Sequence, residues 1–134
     1  MTTVRRSILI LALGLTVLMT ASCGKDNPIA PFEPEVVNTA DAFQFQITAA
    51  QNVTTTLSYT WNNSGQQATI NHSTATTSGT ATVTLLDASS NQVYTSGLAA
   101  SATEQSSTGT AGNWTVVVVF TSYDGTANFR IERL

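Results

Sequence analysis

Trp114-Thr115-Val116-Val117-Val118-Val119-Phe120 is the most hydrophobic stretch of the chain beyond its N-terminal segment. β-Branched side chains are restricted in a helix and pack well on a pleated surface, so this run is a strand. Four valines in succession place apolar side chains on both faces, which predicts a central strand covered on both sides. After it, Ser122-Tyr123-Asp124-Gly125 is a turn signal. Ala127, Phe129 and Ile131 then alternate with Asn128, Arg130 and Glu132, the pattern of a strand with one buried face.

The same period of two recurs upstream. Phe43, Phe45 and Ile47 alternate with Gln44 and Gln46, and Val53, Thr55, Leu57, Tyr59 and Trp61 form a second run that stops at Asn62-Asn63-Ser64-Gly65. Ala68 and Ile70 mark a short third strand, with Ser73 to Gly79 as a polar loop behind it. Ala81, Val83 and Leu85 mark a fourth, ending at Asp87-Ala88-Ser89-Ser90-Asn91, and Val93 with Tyr94 a brief fifth. The Ser/Thr/Ala/Gly-rich stretch from Leu98 to Gly112 holds one weak edge strand around Glu104-Gln105-Ser106. No helical period and no repeat is visible here. The expected fold is all-β: a single antiparallel β-sandwich or jelly roll of about 7–8 short strands.

The chain begins differently. Met1 to Arg6 ends in two arginines, Ser7 to Met19 carries no charge, and the small residues Thr20-Ala21-Ser22 precede Cys23, the only cysteine. An apolar run this short falls below the roughly 20 residues that cross a bilayer. A charged start, a short apolar centre and a small-residue exit describe a secretory signal peptide. The segment resembles bacterial lipoprotein signal peptides, whose lipobox ends in small residues before a cysteine, although Thr20 stands where leucine is usual. The resemblance implies a diacylglycerol on the Cys23 thiol, cleavage before Cys23, and acylation (palmitate) of the new amine. Two acyl chains hold a protein on a membrane where one does so only marginally. With Cys23 consumed, no thiol is left for a disulfide, a metal or a nucleophile. By resemblance to enterobacterial sorting, Gly24 rather than Asp after the cysteine fits an exported lipoprotein on the outer membrane of a diderm host, on its periplasmic or surface face.

All 3 prolines fall between Gly24 and Glu35, a density that blocks regular structure and stiffens the backbone. This reads as a tether, the rival being that Phe32 or Val36-Val37 docks on the domain. The division is then 1–22 signal peptide, 23–40 lipidated cysteine and tether, and 41–134 sandwich. Loss of Arg5 and Arg6 with the signal leaves 3 basic side chains against 8 acidic, a formal charge of 3 − 8 = −5. That balance argues against nucleic acid or an anionic lipid surface as partner, since both require clustered Lys and Arg.

Phe43-Gln44-Phe45, Thr82-Val83-Thr84-Leu85-Leu86-Asp87, Gly112-Asn113-Trp114-Thr115-Val116-Val117-Val118 and Gly125-Thr126-Ala127-Asn128-Phe129-Arg130-Ile131 together resemble, in order, the bacterial pre-peptidase C-terminal family of small β-sandwiches. The resemblance implies the sandwich. Calcium ligation, known in some members, does not carry over, because Ser78-Gly79-Thr80-Ala81 stand where acidic or polar residues are usual.

Residues able to do chemistry are sparse. His72 is the only histidine, no Gly-x-Ser-x-Gly turn accompanies it, and it reads as a solvent-facing residue at a strand end. One histidine and a lipidated cysteine write no zinc site. The acids Asp26, Glu33, Glu35, Asp41, Asp87, Glu104, Asp124 and Glu132 are scattered. Asp87 with Asn91, and Asp124 in its turn, read as turn formers bonding local backbone. Trp61 and Trp114 lie in phase with buried positions, whereas Tyr123, in a turn, is expected to be exposed. Tyr123 and Trp61 are the candidate ligand contacts. No catalytic residue, metal or cofactor is assigned. The expected protein is a monomeric, membrane-anchored lipoprotein whose non-catalytic sandwich binds an envelope protein or glycan or acts structurally. The alternative is an accessory domain of an envelope enzyme system, or a small hydrolase using His72 in an exposed cleft beside a carboxylate and a hydroxyl.

Overall fold

The computed structural model describes residues 32–134; the segment expected to be a signal peptide, Cys23 and most of the proline-rich segment lie outside the described residues. Six strands follow in order: β1 (Glu35–Thr39), β2 (Ala42–Asn63), β3 (Ala68–Leu86), β4 (Gln92–Gly97), β5 (Ala102–Gln105) and β6 (Gly112–Arg133). Every pairing is antiparallel, in the order β1-β2-β6-β3-β4, with β5 also on β3.

The three long strands bend along a common line. The β2–β6 register shifts between Ile47 and Thr55, and the β3–β6 register shifts between Thr76 and Thr80. Backbone with φ above zero gathers there: Ala49 (50°), Asn52 (49°), Gly79 (70°), Ser122 (44°) and Gly125 (144°). Bulges of this kind let one strand pass from one layer to the other. The first layer contains β1, the first halves of β2 and β3, the second half of β6, and β5. The second contains the second halves of β2 and β3, the first half of β6, and β4. Phe45 of the first layer stacks on Phe120 of the second at 6.2 Å between ring centres. Phe43, Phe45, Phe129, Val83, Val116, Val118 and the two tryptophans fill the space between them.

The bend is held by polar groups. Asp124 accepts hydrogen bonds from the Asn52 N–H (2.8 Å) and the Ser78 hydroxyl, so one carboxylate ties β6 to β2 and β3. Ser122 N–H donates to Thr54 Oγ1 (2.8 Å) and Ala49 N–H to Thr126 Oγ1 (3.1 Å). Asp124 is therefore a long-range staple, where the sequence suggested a local turn former.

Several expectations change. Ser73 to Gly79, expected as a loop, lies within β3, and Ser73 to Thr76 pair with Asn128 to Gly125. A polar backbone completes a ladder as well as an apolar one, but half-buried Thr74 and Thr76 conceal the alternation. Ser122 to Gly125 likewise bend β6 without ending it. The short strands expected on either side of these signals are thus halves of longer ones. β1 comes from the segment assigned to the tether: Val36 pairs with Phe45, and both Phe32 and Val36 pack on the core, as the docking alternative had it. The sandwich accordingly starts before residue 41. β6 is central, but its valines are not covered twice: Val116 and Val118 are buried, while Val119 is 37% exposed. Val119 is flanked by Thr56 and Thr82, with no third layer above it among the described residues.

Candidate functional site

The outer face of the first layer carries a polar surface built from three strands. Because Phe43, Phe45, Phe129, Ile131, Ile70 and His72 point inward, their neighbours must point out. Antiparallel register then aligns Gln44 with Arg130 and Asn71, and Gln46 with Asn128 and Ser73, in two rows across β2, β6 and β3. Gln44, Asn71, Ser73, Asn128, Arg130 and Glu132 line an open depression of about 390 Å³. A second of about 250 Å³ adjoins it, sharing Gln44, Arg130 and Glu132 and reaching Val37 of β1.

The side chains are held by one another. Asn128 Nδ2 donates to Gln46 Oε1 (3.0 Å), Arg130 Nη2 to Gln44 Oε1 (3.4 Å), and Asn71 Nδ2 to Thr103 Oγ1 (2.8 Å). Arg130 also faces Glu132 at 3.7 Å, with both side chains more than half exposed. The face is nearly neutral and rich in groups that donate and accept at once. Sequence reading had Gln44, Gln46, Asn128 and Arg130 facing outward, but not as one surface. The third strand of the set was read at Ala68 and Ile70, but Ser73 was assigned to the loop behind it, so the strand's continuation across this face was missed.

The residues singled out from sequence lie elsewhere. Trp61 is buried edge-to-face on Trp114 (5.8 Å, 87°), whose ring N–H donates to the Thr110 carbonyl at 2.7 Å. Tyr123 is buried as well, 5.1 Å from the Phe120 ring, because the chain bends at Ser122 without leaving the strand and directs the next side chain inward. Neither ring is presented to a ligand.

His72 is in mid-strand and 3% exposed, not at a solvent-facing strand end. It points between the layers because Asn71 and Ser73 hold the outward positions. Its Nε2 lies 3.6 Å from Glu104 Oε2, and among the described residues neither ring nitrogen makes a hydrogen bond. Glu104 instead accepts from the Tyr94 hydroxyl at 2.6 Å. That bond, foremost, holds the Glu104 carboxyl below the usual carboxylate range. Burial, and then the same bond, push the Tyr94 hydroxyl up to about 12. The carboxylate here is engaged by a phenol, and the imidazole is buried. Among the described residues no three of His, Cys, Asp and Glu converge as metal ligands would.

No protein family matches the sequence, and no curated protein matches it.

Proposed function

We propose that the chain is an exported, lipid-anchored envelope protein whose non-catalytic sandwich binds a glycan on the outer face of β2, β6 and β3. The observation that carries this is the pair of aligned rows Gln44–Arg130–Asn71 and Gln46–Asn128–Ser73. Sugar hydroxyls both donate and accept, and neutral amides match them without a requirement for ligand charge. Lipidation of Cys23, cleavage before it and the likeness to pre-peptidase C-terminal sandwiches belong to the same proposal, and rest on the sequence segments quoted above. A non-catalytic role is supported by the burial of His72 and by the commitment of Glu104 to Tyr94.

With the tryptophan rings buried, recognition rests on hydrogen bonds worth about 1 kcal/mol each, so a handful gives a Kd in roughly the millimolar range. Titration of the isotope-labelled protein with neutral oligosaccharides and soluble peptidoglycan fragments, read by NMR, tests this. Amide side-chain signals of Gln44, Gln46, Asn71 and Asn128 should shift together, and Gln44→Ala with Asn128→Ala should abolish the shifts while leaving the fold intact. Shifts confined to any other surface, or none with every glycan tried, would overturn the reading.

A further inference from the structure

The outer polar face does not stop at β2. Antiparallel register sets Val37 of β1 opposite Gln44, so the row Gln44–Arg130–Asn71 begins one strand earlier, on a valine. Val37 is 57% exposed, the most exposed large apolar side chain among the described residues, although Val36 beside it packs on the core. With Ala42 it borders the smaller depression, which shares Gln44, Arg130 and Glu132 with the larger one. The two depressions thus adjoin as one trough, apolar at the β1 end and hydrogen-bonding beyond it.

The polar groups beside Val37 are directed by what they already hold. Arginine only donates, so Gln44 offers its oxygen to Arg130 Nη2 (3.4 Å) and keeps Nε2 to donate elsewhere. A carboxylate only accepts. Glu132 turns Oε1 toward Arg130 Nη1 (3.7 Å), and its second oxygen is left to accept. Ala42 pairs with Glu132 and Gln44 with Arg130, so these four side chains mark the corners of one patch on two adjacent strands. Adjacent strands lie about 4.8 Å apart, and side chains two residues apart on one strand about 7 Å. A donor, an acceptor and an apolar contact therefore fall within the span of one small group.

We propose that this end of the trough holds the acetamido group of an N-acetylated sugar. The inference rests on glycan binding at this face and narrows the ligand to acetamido sugars. The acetyl oxygen accepts from Gln44 Nε2, the acetamido N–H donates to Glu132, and the methyl lies on Val37 and Ala42. A hydroxyl in the same place would leave the valine facing water. An ammonium or a carboxylate would meet one member of the Arg130–Glu132 pair as a like charge. Past Arg130 the trough is lined by Asn71, Ser73 and Asn128, with no second apolar side chain, so the rest of the occupant is rich in hydroxyls. One methyl beside many hydroxyls describes an acetamido sugar. A peptide repeats its amide at every residue and brings a side chain with each.

NMR titration of the full-length, isotope-labelled chain, held in a detergent without a sugar headgroup, tests the proposal. The probes are cellotriose, N,N′,N″-triacetylchitotriose and the disaccharide of peptidoglycan. The first two differ only in carrying a hydroxyl or an acetamido group on each ring. The acetylated trisaccharide should bind at least about tenfold more tightly than cellotriose. The Val37 methyl signals should shift together with the side-chain amide of Gln44. The peptidoglycan disaccharide should share the preference, and the tighter of the two acetylated probes names the source of the sugar. Val37→Ser should reduce the preference by about fourfold, the worth of one methyl contact, whereas Val37→Ile should retain it. Both variants should leave the remaining amide spectrum unchanged. Equal affinities for cellotriose and the acetylated trisaccharide would overturn the proposal while glycan binding stands. No binding by any probe would overturn both. Saturation of the same signals by N-acetylalanine methylamide at comparable concentration would overturn it in favour of a peptide. A preference untouched by Val37→Ser would show that the acetyl group is read elsewhere.

Discussion

Asp87 shows what one carboxylate contributes to a chain with few charges. It is 4% exposed and accepts hydrogen bonds from the N–H groups of Ser89 (2.9 Å), Asn91 (2.8 Å) and Thr110 (2.8 Å). These bonds, the Thr110 N–H first, hold its carboxyl below the usual carboxylate range. A group whose folded value is depressed stabilises the protein above its unfolded value and loses that contribution as the pH falls through the folded one. Asp87→Asn should therefore lower the Tm at pH 7, and the gap to the unmodified protein should close as the pH drops below about 4. Melts between pH 7 and pH 3 check this, and a gap independent of pH would mean that shape alone, not charge, matters. Gly79 is constrained by its backbone, not by charge. With φ at 70°, an added Cβ would lie 2.1 Å from the Ser122 carbonyl oxygen, whereas at Gly97 the nearest atom is 4.0 Å away. Gly79→Ala should cost at least about 2 kcal/mol, and Gly97→Ala should be neutral or slightly stabilising; chemical denaturation of both separates them.

At the scale of the element, β6 carries the decisive contrast. Val118 is fully buried between the layers, and Val119, one residue on, is 37% exposed. Val118→Asp puts an unpaired charge in the core and should abolish folding, whereas Val119→Asp should change stability by less than about 1 kcal/mol. Equal damage from both would show that β6 is covered on two faces after all. Here the limits of sequence become physical. Phe43 to Ile47 and Ala127 to Ile131 were legible as half-buried strands because apolar and polar residues alternate cleanly. The valine run was legible as a central strand but not as one-faced, since valine suits a pleated surface whether or not it is covered. β1 was obscured by Pro34 and Glu35, whose local preferences suggest a tether, although Val36 and Phe32 find room against the core. The outer polar face could be reached only in part. Which side chains face out follows from period two, but which strands lie side by side follows from the register, and the register depends on bends that look like turns.

Across the whole molecule, those bends make the two layers a single cooperative unit. β2, β3 and β6 each run through both layers, so neither layer can open without pulling on the strands of the other. The pairing of Ala42 with Glu132 joins the beginning of β2 to the end of β6, and that of Ala68 with Arg133 joins the beginning of β3 to the same end. The Asp124 staple and the Phe45–Phe120 stack couple the same halves through side chains. Trp61 and Trp114 are both carried by strands of the second layer, so tryptophan fluorescence is weighted toward that layer and the core beneath it, while far-UV circular dichroism reports both layers evenly. If the layers were independent, the fluorescence transition in urea would separate from the dichroism transition. The continuous strands predict coincident midpoints and a single m-value, the sign of an all-or-none transition. Asp124→Ala removes the staple without interrupting any strand, so both midpoints should move to lower urea together. A fluorescence midpoint that stays in place while the dichroism midpoint falls would show the layers unfolding separately.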